Sequence, residues 1–114
     1  MSVINTAAGA VANTPAPPYY AVIFTSQQTG SSEGYAQMAQ RMVELAQQQP
    51  GYLGIESARE DIGITVSYWK DLASIRQWKK NAEHLQAQSL GKERWYSAYT
   101  TRIALVEKEY SKPI

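Results

Sequence analysis

The sequence contains no cysteine and only one histidine, His84. The absence of thiols excludes disulfide bonds, thiolate nucleophiles and zinc–thiolate sites. Without a second histidine, an ordinary histidine-based metal site lacks a ligand, so we predict no metal. Positive and negative charges almost cancel, with a formal net charge of +1, so we expect no nucleic-acid partner.

Long apolar runs are also missing. No stretch reaches the roughly 18 to 20 apolar residues that a membrane-spanning helix needs. The first residues lack the basic segment of a secretory signal, and the apolar run at residues 7–12 is too short for one. We therefore expect a cytoplasmic protein that has no membrane partner.

One composition shift divides the chain, whose length of 114 residues is typical of a single domain. Residues 1–18 are rich in Ala, Asn and Thr and end in Pro15-Ala16-Pro17-Pro18. Such a segment buries little apolar surface and favours extended conformations. We predict a flexible tail at residues 1–18 and one folded domain at residues 19–114. The alternative is that the tail packs across a partner subunit.

The first half of the domain reads as a strand followed by a helix. Residues 19–25 are β-branched and aromatic, which favours a strand. Ser31 or Ser32 is predicted to cap a helix that carries Glu33 in its first turn. One apolar stripe with helical spacing follows; it consists of Tyr35, Met38, Ala39, Met42, Val43 and Ala46. Pro50 and Gly51 end this helix.

The second half begins with a predicted hairpin, residues 52–58 and 62–69, because only a short link separates the two strands. In the second strand of the hairpin, Trp69 lies on the opposite face from Ile64. Its side chain therefore points either to the helices or to a partner chain. Asp71 is predicted to cap a short helix, and Asn81 to cap a second helical piece that runs to about residue 90. Residues 99–110 are predicted to form the last strand.

The order β-α-β-β-α-β predicts an α+β, ferredoxin-like fold, in which both helices cover one face of an antiparallel sheet. The first and last strands carry apolar residues on both of their faces. An uncovered apolar sheet face of that extent is unusual in a monomer. We therefore predict a homodimer in which two sheets pack face to face as a dimeric α/β barrel.

The segments PGYLGIES (residues 50–57) and VSYWKDLASIRQW (residues 66–78) resemble the antibiotic biosynthesis monooxygenase family. Glu83-His84 and Trp95-Tyr96 extend the likeness, which covers residues 19–110. The resemblance implies the dimeric α/β-barrel fold. It also implies one of several activities, since the family includes cofactor-free oxygenases of aromatic phenols, haem-degrading enzymes and proteins with no assigned substrate.

His84 is the candidate catalytic base, because imidazole titrates near neutral pH. Its place after the predicted cap at Asn81 would put it in the first turn of a helix, where the helix dipole favours the neutral imidazole. The resemblance also places a histidine in this region. The alternative is a polar residue that bonds only to the backbone or to solvent.

Aromatic side chains are numerous, with three tryptophans and eight tyrosines. Those on converging elements are candidate substrate-binding residues, as an apolar wall with a few hydroxyl and indole N–H groups would orient an aromatic ligand. The candidates are Phe24, Tyr68, Trp69, Trp78, Trp95 and Tyr99. Packing in the core is the alternative for each of them. Arg102, which interrupts the apolar run of the last strand, is a candidate for binding a carboxylate or an oxyanion, or for an interface salt bridge.

The resemblance leads to three functional hypotheses. The first is a cofactor-independent monooxygenase that acts on a small aromatic or quinone-type substrate. The second is a non-catalytic module that binds a small ligand or is associated with stress. The third is a haem-degrading enzyme: Trp78 matches the tryptophan of such enzymes, but the first strand offers no asparagine at Ile23, Phe24 or Thr25, and His84 follows Trp78 too closely.

Overall fold

The computed structural model describes residues 9–89 and 94–112, with the side chains of residues 84–89 outside the description. Six elements follow in chain order. They are strand β1 (Tyr19–Gln28), helix α1 (Tyr35–Gln47), strand β2 (Tyr52–Arg59), strand β3 (Gly63–Trp69), helix α2 (Leu72–Ser89) and strand β4 (Tyr96–Val106). The predicted element order and the ferredoxin-like α+β fold are confirmed.

The four strands form one antiparallel sheet in the order β2-β3-β1-β4. Helix α1 packs against β2 and α2, and helix α2 packs against β3. Because directly paired residues share a face, the register separates two sides. The helix side is the side of Trp69, and the open side is the side of Tyr68.

Two β-bulges interrupt the regular alternation of the edge strands. In β2, Tyr52 pairs with Trp69 and Gly54 pairs with Tyr68, so Leu53 is the additional residue. In β4, Ala98 pairs with Gln27 and Tyr96 pairs with Gln28, so Ser97 is the additional residue. An extra residue resets which face the rest of the strand presents.

Helix α2 corrects the predicted break at Asn81, because it runs without interruption from Leu72 to Ser89. Asn81 donates a hydrogen bond from its side-chain amide to Oε1 of Gln49 at 2.9 Å. Its side chain therefore ties α2 to the end of α1 instead of capping a new helix. The predicted cap at Asp71 is present, since its carboxylate accepts hydrogen bonds from the N–H and the hydroxyl of Ser74 at 2.8 and 2.7 Å.

The start of α1 also differs from the prediction. The residue before its first turn is Gly34, in the left-handed region at φ 79°, and no side chain caps the helix. Ser32 contributes its carbonyl oxygen, which accepts the N–H of Tyr35 at 3.0 Å. Glu33 therefore lies before the helix, and neither Ser31 nor Ser32 caps it with a hydroxyl.

The segment before β1 contacts the open side of the sheet. The backbone N–H of Ala12 donates to Oε2 of Glu56 at 2.9 Å, and the hydroxyl of Thr14 donates to the hydroxyl of Tyr19 at 2.9 Å. The described part of the predicted tail, residues 9–18, thus makes specific contacts with the domain. No helix within the described ranges is long and apolar enough to cross a membrane.

Candidate functional site

The side chain of Trp69 faces the helices, which decides between the two orientations that the sequence allowed. It is completely buried, it stacks on Trp78 with ring centroids 5.7 Å apart, and Tyr52 meets it edge-on at the same separation. Its indole N–H donates to the hydroxyl of Ser67 at 2.8 Å. Together with Ile75 and Ala46 these rings fill the space between β3 and the helices.

Trp95 anchors the other end of the helix layer. It is buried against Met38, its ring lies edge-on to Tyr35 at 5.6 Å, and its indole N–H donates to the carbonyl of Glu33 at 2.8 Å. These contacts fix the approach to β4 against the start of α1. The structure therefore places Trp69, Trp78 and Trp95 within packed clusters.

Phe24 and Tyr99 come together on the helix side of β1 and β4, with ring centroids 5.7 Å apart. Tyr96 joins them at 5.3 Å from Phe24 and 6.1 Å from Tyr99. Strict alternation would place Tyr96 and Tyr99 on opposite faces. The bulge at Ser97 brings both to the same face, and no signal in the sequence marked it.

This cluster continues into an incompletely covered apolar surface. Tyr99 is 45% exposed, and Ile103 and Leu105, further along the same face of β4, are 52% and 48% exposed. We call these side chains the β1–β4 wall. Its members are Phe24, Tyr96, Tyr99, Ile103 and Leu105. A wall of this kind, apolar with phenol hydroxyls at one end, matches the chemistry of small-molecule sites.

Burial is the main reason why the pKa of Tyr96 is raised well above its usual range. The neighbouring Tyr35 hydroxyl raises it further, and the positive charge of Arg59 acts in the opposite direction. Tyr96 is therefore a neutral phenol at physiological pH, able to donate or accept a hydrogen bond.

Tyr68 and Arg102 lie on the open side of the sheet. The hydroxyl of Tyr68 donates to Oε1 of Glu56 at 2.5 Å, and burial together with this carboxylate raises its pKa. Arg102 is exposed on β4, where it pairs with Ile23. The structure thus separates both residues from the β1–β4 wall by the thickness of the sheet.

The open side also holds a groove of about 340 Å³ under the N-terminal segment. Residues 9–11 form one side of it, and Glu56, Ile64 and Val66 form the other. Both carboxylate oxygens of Glu56 are already bonded, to Tyr68 and to the N–H of Ala12. Apart from Glu56 and Ser57, the residues that line this groove are glycine or apolar.

His84 falls in the second half of helix α2, and not in a first turn as the predicted cap at Asn81 had required. The argument from the positive end of a helix dipole therefore does not apply to it. Its Cα lies about two and a half turns after that of Ile75. Its side chain is outside the described residues, and its catalytic role stays a prediction. Over residues 9–89 and 94–112, no group of three or more His, Asp or Glu side chains could hold a metal ion.

Arg59 was not among the predicted site residues, because the prediction placed it in the short link between the two hairpin strands. The guanidinium donates to the hydroxyl of Ser26 at 2.5 Å and lies over the ring of Tyr35, with Cζ 5.9 Å from the ring centroid. Gly63 was the available signal, since a glycine inside a strand often marks a close approach by another group.

Comparison with known proteins agrees with this architecture. Residues 18–90 match the sequence profile of the antibiotic biosynthesis monooxygenase family. The uncharacterized protein YqjZ of Bacillus subtilis is 46% identical over 101 residues, which cover 87% of this chain and 89% of YqjZ.

Two solved structures share the fold at low sequence identity. SnoaB, a cofactor-independent oxygenase from Streptomyces nogalater, superposes with a TM-score of 0.63 at 13% identity, over 86% of this chain and 100% of SnoaB. PA3566 from Pseudomonas aeruginosa gives a TM-score of 0.63 at 17% identity, over 84% of this chain and 99% of PA3566. From the match over residues 18–90 and the similarity to YqjZ, the chain belongs to the antibiotic biosynthesis monooxygenase family.

Proposed function

We propose that this protein is a cofactor-independent oxygenase whose small aromatic substrate binds against the β1–β4 wall. The observation that carries the proposal is the contact of Phe24, Tyr96 and Tyr99 on one face, next to apolar side chains that are about half exposed. A flat aromatic ring gains most by packing against such rings, at about 0.5 to 1.5 kcal/mol per pair beyond the area it buries.

The chemistry needs no external reductant. A phenol and one O2 give a quinone and one water: one oxygen atom joins the ring carbon, and the other leaves with the two hydrogens that the substrate loses. Deprotonation of the phenol makes the ring electron-rich enough to react with oxygen. The protein's tasks are to remove that proton and to keep the intermediate away from water.

We assign the proton acceptor to His84, whose imidazole is the one side chain of its type in the sequence. General-base catalysis of this kind contributes about 10²- to 10⁴-fold to the rate. We therefore expect His84→Ala to lower kcat by about 100-fold and to remove the acid limb of the pH–rate profile. Unchanged turnover and an unchanged profile would assign the base to another group.

The first test is oxygen uptake together with quinone formation from a panel of naphthols, in buffer that contains EDTA and no flavin. Tyr99→Ala removes an exposed ring of the wall and is expected to raise KM at least about fivefold, which corresponds to the loss of about 1 kcal/mol of ring contact. Leu72→Ala is the matched control, because Leu72 is 42% exposed and lies at the start of α2. Equal kinetics for both variants would contradict the placement of the site.

A non-catalytic binding module is the second function that the family supports. Such a module would use the same β1–β4 wall, because the rings of Trp69 and Trp78 fill the space over β3. Tight binding of the same phenols without oxygen uptake would establish this alternative.

We also propose that two chains pair through their open sides, as proteins of this family are typically dimeric. Ile64 supports the proposal: it lies on the open side and is 41% exposed, although it is part of a β-sheet. We expect Ile64→Glu to convert a dimer to a monomer in size-exclusion chromatography with light scattering. Leu72→Glu, at nearly equal exposure on α2, is expected to leave the mass unchanged.

A further inference from the structure

Arg59 is a half-buried cation whose described partners are all neutral. At the end of β2, its guanidinium donates to the hydroxyl of Ser26 at 2.5 Å and to the carbonyl of Ser26 at 3.4 Å. The ring of Tyr35 lies beneath it at 5.9 Å. Among the residues that the structure describes, no carboxylate pairs with it. A partly desolvated charge without a counter-charge is costly to keep.

Gly63 makes this arrangement possible. A Cβ at Gly63 would overlap the guanidinium group of Arg59 and lie 2.6 Å from its Nε. Because Gly63 has no side chain, Arg59 lies flat across β3 and reaches Ser26 on β1. The register places Arg59, Gly63, Ser26 and Tyr99 in one row across the four strands, on the helix side.

The same row connects the cation to the β1–β4 wall. Ser26 separates Arg59 from Tyr99, and Tyr35, which lies under Arg59, contacts Tyr96 at 5.9 Å. The charge of Arg59 acts on Tyr96, whose pKa it lowers against the larger effect of burial. A positive group and an aromatic surface therefore lie next to each other on one side of the sheet.

We propose that Arg59 binds the carboxylate of a planar aromatic acid whose ring lies against Phe24 and Tyr99. Guanidinium carries five N–H donors in a planar fork that fits a carboxylate in two parallel hydrogen bonds. Ser26 accepts two of them, through its hydroxyl and its carbonyl, and no other acceptor among the described residues contacts the remaining three. This inference rests on the location of the site proposed above and is independent of oxygen chemistry.

A purely structural role for Arg59 makes a different prediction. If Arg59 only ties β2 to β1, its loss weakens the binding of charged and neutral aromatic ligands alike. If it binds a carboxylate, its loss affects the charged ligand alone. A pair of ligands that share a ring and differ in charge separates the two roles.

The experiment is isothermal titration calorimetry with 2-naphthoate and with 2-naphthalenemethanol, its neutral counterpart. We expect the wild-type protein to bind 2-naphthoate at least about tenfold more tightly than the alcohol, because hydrogen bonds between the guanidinium and a carboxylate increase affinity by about this factor. Arg59→Met keeps the side-chain length, and it should remove the preference while it leaves the affinity for the alcohol unchanged. Arg41→Met is the matched control, since Arg41 is exposed on α1.

Gly63→Ala provides a second variant that keeps the charge. The added methyl group forces the guanidinium away from its place over β3, so the preference for 2-naphthoate should fall although Arg59 is present. Circular dichroism establishes that each variant is folded, and Gly63→Ala decides the matter if Arg59→Met does not fold.

Equal affinities of the wild-type protein for the two ligands, or binding of neither, would overturn the inference. A preference for 2-naphthoate that survives in both Arg59→Met and Gly63→Ala would do the same. A preference for the carboxylate without any oxygen uptake would support this inference and contradict the proposed oxygenase function. Oxygenation of neutral phenols by a wild-type protein that shows no carboxylate preference would contradict this inference and leave the oxygenase standing.

Discussion

Substitution of Gly51 by alanine tests the junction where α1 ends, β2 begins and α2 is capped. Gly51 has φ 86°, in the left-handed region that costs an L-residue about 1 to 2 kcal/mol. A Cβ there would also overlap the hydroxyl of Ser74 and lie 2.6 Å from its Cβ. Ser74 cannot retreat freely, because its N–H and hydroxyl are both bonded to Asp71.

The two effects together predict that Gly51→Ala lowers the free energy of unfolding by about 3 kcal/mol, with overpacking accounting for about half or more. Gly34→Ala isolates the backbone effect. Gly34 has φ 79°, but its nearest neighbour, a ring carbon of Trp95, would be at an ordinary 3.5 Å from the new Cβ. We expect Gly34→Ala to cost about 1 kcal/mol.

Urea denaturation followed by tryptophan fluorescence measures both values. A second background, Ser74→Gly, removes the atoms that the new methyl group meets. Within that background Gly51→Ala should cost about as much as Gly34→Ala does in the wild-type protein. If Gly51→Ala costs the same in both backgrounds, or no more than Gly34→Ala, the steric part of this reasoning is wrong.

Three further results are expected. Trp69→Ala should cost about 4 kcal/mol in urea denaturation, because Trp69 is fully buried, whereas Tyr99→Ala on the β1–β4 wall should cost clearly less; equal losses would contradict the distinction between core and wall. Asp71→Ala should lower Tm at neutral pH. The hydroxyl and then the N–H of Ser74 hold the pKa of Asp71 below its ordinary value of 3.8, so the difference from wild type should persist above that value and shrink as the pH falls below it. Burial and Glu56 raise the pKa of Tyr68 in the folded protein, so as the pH rises Tyr68 ionises first in the unfolded chain, near its ordinary pKa of 10.0, and this destabilises the fold. Between about pH 9 and about pH 11, the Tm of Tyr68→Phe should therefore fall less than the Tm of the wild-type protein.

Much of the fold was predictable from local patterns. The stripe of α1 repeats with helical spacing, the hairpin strands are separated by a short link, and Asp71 precedes the helix that it caps. These features depend on neighbours in sequence, which is why periodicity and capping rules identify them. Trp69 and Ile64 lie on opposite faces of the sheet, as predicted, although only the packed structure shows that Trp69 is the one that faces the helices.

The errors arose where a tertiary contact outweighed a local preference. Asn81 was expected to start a helix, but its amide donates to Gln49, just after α1, and the helix continues past Asn81. Ala12 contacts the sheet through a backbone N–H that composition does not reveal, and the division into a tail at residues 1–18 and a domain at residues 19–114 stays a prediction. The structure places the candidate aromatic residues in two packed clusters, on the wall and on the open side, and their role in substrate binding stays a prediction.

The bulge at Ser97 means that the makeup of the β1–β4 wall is set by the number of residues in β4 as well as by their identity. With Ser97 present, Tyr96 and Tyr99 stand on the same side although they are three positions apart. Deleting this one residue would restore regular alternation, so that either the side chain of Tyr96 or those of the rest of the strand would move to the opposite face of the sheet. An insertion or deletion at this point can therefore change which side chains β4 presents on each face of the sheet in a single step, without any substitution in the rings themselves.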